Sequence, residues 1–130
     1  MAKQFTLGKN ERLRSRKSIE QLFSDGKKFV LTPFRIYYQI ERSANIQLQF
    51  AAGVSAKNFK KAVDRNRIKR LIREAFRLQK MFLQKKLNEK NTGLKVFFIY
   101  TGKEIPAYNE VFSKMNLILN RLDKMVDELK

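Results

Sequence analysis

A chain of 130 residues with 29 Lys and Arg against 12 Asp and Glu carries a formal charge of +17, which makes a polyanion, nucleic acid by default, its expected partner. The length suits one domain whose single core must use most of the 43% hydrophobic content. With no cysteine and no histidine, disulfides, thiol nucleophiles, the usual zinc ligands and the commonest general base are excluded, and no apolar run approaches the roughly 20 residues that span a bilayer.

Residues 1–14 hold Lys3, Lys9, Arg12 and Arg14 with only Phe5, Leu7 and Leu13 as anchors, and read as a mobile or loosely docked basic arm. No apolar block follows these basic residues, so the segment is not a secretory signal and a cytoplasmic location is expected. Ser15 suits the N-cap of a short first helix in which Ile19, Leu22 and Phe23 share a face and Asp25-Gly26 supplies the stop. Extended structure follows over residues 29–31, 34–40 and 46–54, broken at Thr32-Pro33 and by a polar turn near residues 42–45, which predicts an antiparallel meander. Period-two alternation puts Phe34, Ile36, Tyr38 and Ile40 on one face with Leu48, Phe50, Ala52 and Val54. Arg35, Tyr37 and Gln39 share the other face with Gln47, Gln49, Ala51 and Gly53. An aromatic beside an arginine and amides, opposite small residues, has the makeup of a stacking platform for unpaired bases; equally, Tyr37 could simply cover the sheet beneath the first helix.

Residues 57–80 carry +8, ten Lys and Arg against two acids, whereas residues 103–130 are neutral at five against five. Basicity needed only for solubility would not be so localised. At about 100° per residue a helix over roughly 60–80, reaching towards Leu87, gathers Ile68, Leu71, Ile72, Ala75, Phe76 and Leu78 on one side. Asn66, Lys69, Arg70, Arg73, Arg77 and Lys80 lie opposite, with Arg65 and Arg67 at the margins and Glu74 the single acid among them. An ordinary solvated face would mix the two signs, and arginine predominates here, whose planar fork grips phosphate oxygens bidentately. Asp64 suits the positive end of the helix dipole better than a metal.

Residues 94–100 are apolar at nearly every position, as expected of an interior strand covered on both sides. Pro106 then suits the first turn of a last helix with the stripe Val111, Met115, Ile118, Leu119, Leu122, Met125, Val126 and Leu129. The five glycines are isolated, so no phosphate-cradling loop is present, and the acids are too scattered for a metal-dependent nuclease. No catalytic and no metal-ligating residue is assigned. The predicted order is αβββαβα, an α+β fold in a single RNA-binding domain.

The stretch Ala62-Val63-Asp64-Arg65-Asn66-Arg67-Ile68-Lys69-Arg70-Leu71-Ile72-Arg73-Glu74-Ala75-Phe76-Arg77 resembles the signature of the protein subunit of bacterial ribonuclease P, and the resemblance extends from Arg12-Leu13 through Gly53-Val54-Ser55 to the last helix. It implies a two-layer α/β sandwich similar to the second domain of ribosomal protein S5, with a left-handed βαβ crossover where the general rule favours a right-handed one. It implies as partners a catalytic RNA subunit and precursor transfer RNA, cleaved to leave a mature 5′ end, with Mg2+ bound mainly by the RNA. Arg65, Asn66, Arg67, Lys69, Arg70 and Arg73 match the motif that contacts the RNA subunit; Lys57, Lys61 and Arg77 of the same basic stretch are taken with them. A cleft between first helix and sheet would hold the single-stranded 5′ leader, with Phe23 and Tyr37 at aromatic positions of the family and Ile19 where another aromatic is frequent. Arg35 joins that set through its place beside Tyr37. The competing expectations are a ribosomal or RNA-chaperone protein of similar fold, and a protein-only nuclease.

Overall fold

Strand alternation divides a four-stranded sheet into two faces that are covered very differently. The computed structural model describes residues 12–13, 15–42 and 48–128. Its elements are α1 (Arg16–Asp25), β1 (Lys27–Leu31), β2 (Phe34–Arg42), β3 (Leu48–Val54), α2 (Ala62–Gln79), α3 (Met81–Glu89), β4 (Thr92–Tyr100) and α4 (Tyr108–Asp127). This is the expected order with the helical crossover in two pieces. Of the expected basic arm, residues 1–11 and 14 lie outside the described residues, as does the polar turn beyond Arg42. Arg12 and Leu13 are docked, not loose: the Leu13 N–H donates to the Phe50 carbonyl at 2.8 Å along the edge of β3, and the Leu13 side chain is buried.

The spatial order is β1-β2-β4-β3, β2 running antiparallel to β1 and to β4, and β3 parallel to β4. The expected meander is thereby corrected, since β4 separates β2 from β3. The physical reason is burial: β4 is the strand with apolar side chains on both faces and loses most at an edge. The facing of each residue is nonetheless as the alternation predicts. Register aligns Phe34 with Tyr100 and Val54, Ile36 with Phe98 and Ala52, Tyr38 with Val96 and Phe50, and Ile40 with Leu94 and Leu48.

That apolar face receives α2, α3 and α4. Ile68, Ile72, Ala75 and Phe76 of α2 are fully buried, and the Phe76 ring lies flat on Phe50 with centroids 4.1 Å apart at 12°. Leu78 and Lys80 depart from the predicted wheel: Leu78 is 41% exposed and Lys80, placed on the basic side, is only 1% exposed. The cause is a break in the helix, because α2 stops at Gln79 and the chain turns through Lys80 into α3, where Leu83 and Leu87 continue the core. Gln79, close to Ile68 on the wheel, is a buried polar group in the apolar stripe. Its amide donates to the carbonyls of Phe112 (3.0 Å) and Ala75 (3.3 Å) and its oxygen accepts from Asn116 (3.1 Å), so the group is satisfied and ties α2 to α4.

Lys86 of α3 pairs with Asp123 and Asp127 of α4, each at 2.9 Å, which raises the Lys86 pKa and lowers that of Asp127. Pro106 lies just before the N-cap Ala107 of α4 and not in its first turn, and Val111, Met115, Ile118, Leu119, Leu122 and Val126 form the buried stripe. Met125 packs at the margin of the core, and Leu129 is outside the described residues.

Among the described residues, α1 is the helix that covers the second face. Ser15 caps it, its hydroxyl accepting from the Ser18 N–H at 3.3 Å, and the Gly26 N–H closes it on the Leu22 carbonyl at 2.9 Å. A Cβ on Gly26 would lie 2.4 Å from that carbonyl oxygen, so the turn into β1 requires glycine.

Candidate nucleic-acid interface

Tyr37 of β2 and Phe97 of β4 are direct cross-strand neighbours on the face that α1 covers, and Phe23 comes down between them. The Phe23 ring meets Tyr37 at 4.7 Å and 66°, and Phe97 at 5.1 Å and 63°, both edge-on. Phe23 is still 41% exposed. Ile19, one turn earlier on α1, is half-buried and extends the apolar flank without a ring. Tyr37 thus lies under α1, and it also belongs to a cluster of three rings that reaches solvent. Phe97 was missed by sequence reasoning because a strand apolar at nearly every position hides its facing; a strand paired with β2 shows that every second residue from Phe97 joins the face of Tyr37.

Towards the C-terminal ends of β3 and β4 the same face opens into a cleft of about 650 Å³ whose lining includes Arg35, Ser55, Lys57, Asn58, Ile99 and Lys103. Its far wall is held by Asn58, whose side-chain amide donates to the carbonyls of Thr101 (3.1 Å) and Gly102 (3.2 Å). Three cationic side chains from three different segments thus converge beside the aromatic cluster. Lys57, grouped by sequence with the basic helix, lines the cleft together with Arg35 instead. Lys103 carries no motif and was not anticipated.

The basic helix presents its other predicted residues unequally. Asn66, Arg67, Arg70 and Arg73 are exposed, Lys69 is half-buried, and Lys61 is the exposed N-cap residue. Among the described residues none of Arg67, Arg70 and Arg73 pairs with a carboxylate. Arg77 does, gripping Glu74 one turn back, and that hydrogen bond raises its pKa further. Arg65 points the other way: its Nη1 donates to the carbonyls of Phe59 (2.7 Å) and Lys60 (2.8 Å), clamping the segment that enters α2. Hydrogen bonds from a charged donor contribute about 1.5–3 kcal/mol. Arg65→Ala is therefore expected to lower the unfolding free energy by about 2 kcal/mol in urea titrations, in keeping with that range. Exposed Arg70→Ala should stay within about 0.5 kcal/mol. Equal stabilities for the two variants would show that the clamp contributes nothing.

No group of three or more acids that could hold a metal ion occurs among the described residues, and none of the described helices is long and apolar enough to cross a membrane. The arrangement is one of guanidinium groups along a helix, and of edge-on rings beside a cationic cleft.

A family model described as Ribonuclease P matches residues 7–123. The chain is 36% identical over 119 residues to the Ribonuclease P protein component of Porphyromonas gingivalis strain W83, covering 91% of this chain and 87% of that protein. It is 30% identical over 131 residues to the corresponding protein of Chlorobaculum tepidum, covering 89% and 85%. Among solved structures, the RNase P protein from Thermotoga maritima superposes with a TM-score of 0.66 at 26% identity, over 85% of this chain and 96% of that one. That of Staphylococcus aureus gives 0.68 at 19% identity, over 86% and 94%, a likeness of fold.

Proposed function

This chain belongs to the ribonuclease P protein family, and from that premise we propose that it binds the RNA subunit of ribonuclease P through the outer face of α2 and grips the 5′ leader of precursor transfer RNA in the cleft beneath α1. The observation that carries the reading is the joining of the Phe23–Tyr37–Phe97 cluster to the cleft of Arg35, Lys57 and Lys103 on one face of the sheet. Single-stranded nucleic acid uses both parts, π-faces for its bases and cations along its backbone, and the π-faces take only unpaired bases.

In this reading the chain positions and does not cleave. Arg67, Arg70 and Arg73 neutralise phosphates of the RNA subunit, and the leader, which mature transfer RNA lacks, supplies extra contacts that favour substrate over product. Hydrolysis belongs to the RNA, with Mg2+ bound mainly there; the dispersed acids of this chain offer no chelating set among the described residues, and no step is assigned to the ion on the protein. The reaction is endonucleolytic removal of the leader, in the cytoplasm where precursor transfer RNA is matured.

Tyr37→Ala tests the proposal in holoenzyme reconstituted with a ribonuclease P RNA subunit. Loss of one base–aromatic stack, about 1–3 kcal/mol, predicts a roughly 5- to 150-fold drop in affinity for precursor with no change for mature transfer RNA or for RNA-subunit assembly. Equal affinity of the unaltered holoenzyme for substrates with and without a leader would sink the leader role and favour an RNA-chaperone or ribosomal one. Cleavage by the purified chain in Mg2+ without RNA would establish a protein-borne active site.

A further inference from the structure

The cationic cleft draws one side chain from each of three segments: Arg35 from the start of β2, Lys57 from the link between β3 and α2, and Lys103 from the link between β4 and α4. All three are exposed, and among the described residues none pairs with a carboxylate. Like charges repel, so their convergence has to be imposed by the backbone that carries them. Thr101 does this from the middle. Its N–H (2.8 Å) and its hydroxyl (2.9 Å) both donate to the Pro33 carbonyl, just before Arg35. Its own carbonyl accepts from the side-chain amide of Asn58, the neighbour of Lys57, at 3.1 Å. The same amide donates to the carbonyl of Gly102, the neighbour of Lys103, at 3.2 Å. The link after β4 is wound further about Tyr100, whose hydroxyl donates to the Glu104 carbonyl at 2.6 Å. A Cβ on Gly102 would collide with that hydroxyl, so the close winding that carries Lys103 requires glycine. A chain of hydrogen bonds, Asn58–Thr101–Pro33, thus runs directly behind the three cations.

We propose that Asn58 and Thr101 are positioning residues for substrate binding: by fastening three segments to one another they hold Arg35, Lys57 and Lys103 together on the leader phosphates, without touching RNA themselves. The inference rests on the leader reading above and adds to it the device that preforms the cationic cleft. A cation on an unfastened loop has to be ordered by the RNA, and that ordering is subtracted from affinity; a cation on a fastened loop is already in place. Fixed convergent charges also focus a potential that the same charges, spread over separate loops, do not. Asn58 and Thr101 are uncharged, so their effect on an electrostatic contact passes entirely through the lysines and the arginine that they hold.

The test uses reconstituted holoenzyme, with precursor and mature transfer RNA each titrated across a salt series. The excess log–log slope of precursor over mature reports the leader phosphates neutralised, each contributing about 0.7 on a single strand. Asn58→Ala alters no charge, yet the excess slope should become shallower by about 0.7 to 1.4, the share of one or two phosphates. Precursor affinity should fall roughly fivefold while affinity for mature transfer RNA holds. Thr101→Val, which loses the hydroxyl bond and keeps the N–H bond to Pro33, should move both quantities the same way by less. Gln79→Ala is the comparison for stability alone, since it deletes side-chain hydrogen bonds between α2 and α4 on the opposite face of the sheet. Its unfolding temperature should drop and its excess slope should stay. The positioning role is overturned, and the leader site stands, if Lys57→Ala and Lys103→Ala flatten the excess slope while Asn58→Ala and Thr101→Val leave it unchanged. An equal flattening in Gln79→Ala overturns it too, because general loosening would then be the cause. If Lys57→Ala, Lys103→Ala and Tyr37→Ala all retain leader discrimination, the leader reading falls as well.

Discussion

With Arg67, Arg70 and Arg73 all replaced by alanine, affinity for the ribonuclease P RNA subunit is expected to fall by roughly two decades near physiological salt, and the log–log salt slope to become shallower by between about 2 and 3. The figures follow from counterion release, in which each neutralised duplex phosphate contributes close to 0.9 to the slope and somewhat under one decade of affinity at about 0.15 M salt. These three guanidinium groups are exposed on one face of α2 and unpaired with carboxylates among the described residues, so removing them changes charge without disturbing the core. Arg77 and Arg65 should contribute less to the slope, one being gripped by Glu74 and the other by backbone carbonyls. Titrations across a salt series give both quantities at once, and a triple variant with an unchanged slope would remove this face from the RNA contact.

Phe76→Ala should be the most destabilising single substitution on the basic helix, by about 3–5 kcal/mol, the range for emptying a buried aromatic site. Phe76 is fully buried, stacked on Phe50 of β3 and edge-on to Phe98 of β4 at 6.2 Å. Small domains have a total stability of about 5–15 kcal/mol, so the loss takes a third or more of a typical value. Calorimetry or urea unfolding should show it directly, and a loss below about 1 kcal/mol would mean that neighbouring side chains refill the space. The functional consequence is indirect, because α2 would lose its seat on β3 and the arginine face its orientation. Binding at low temperature, where the variant remains folded, should recover most of the affinity.

The faces of the strands were legible because period-two alternation is a local property: Phe34, Ile36 and Tyr38 had to turn together whatever lay beside them. The neighbour order was not, because nothing local distinguishes a β2–β3 hairpin from two strands that each pair with a later β4. The two-sided apolar pattern of residues 94–100 did signal an interior strand, and only its position between β2 and β3 went unseen. On the basic helix the wheel separated core from surface correctly from Ile68 to Phe76, then failed at Leu78 and Lys80, because a wheel assumes an unbroken axis and this one bends after Gln79. Arg65 carried a legible warning, since it sat at the margin near the apolar side and had less reason than Arg70 to reach outward. The pairing of Lys57 with Arg35, and the arrival of Lys103, depend on where the segments after β3 and β4 are fastened together by Asn58, a contact spanning more than forty residues that spacing cannot reveal.

The place of β4 also sets the order in which the molecule becomes competent during synthesis. Residues 27–42 and 48–54 leave the ribosome before the strand that joins them, and at about 5–20 residues per second β2 waits several seconds for residues 92–100. In that interval the arginines of α2 are already out, on a helix whose apolar side has no finished sheet to rest on. A nascent chain of this kind can attract RNA by charge before it can tell one RNA from another; discrimination arrives last, with the central strand.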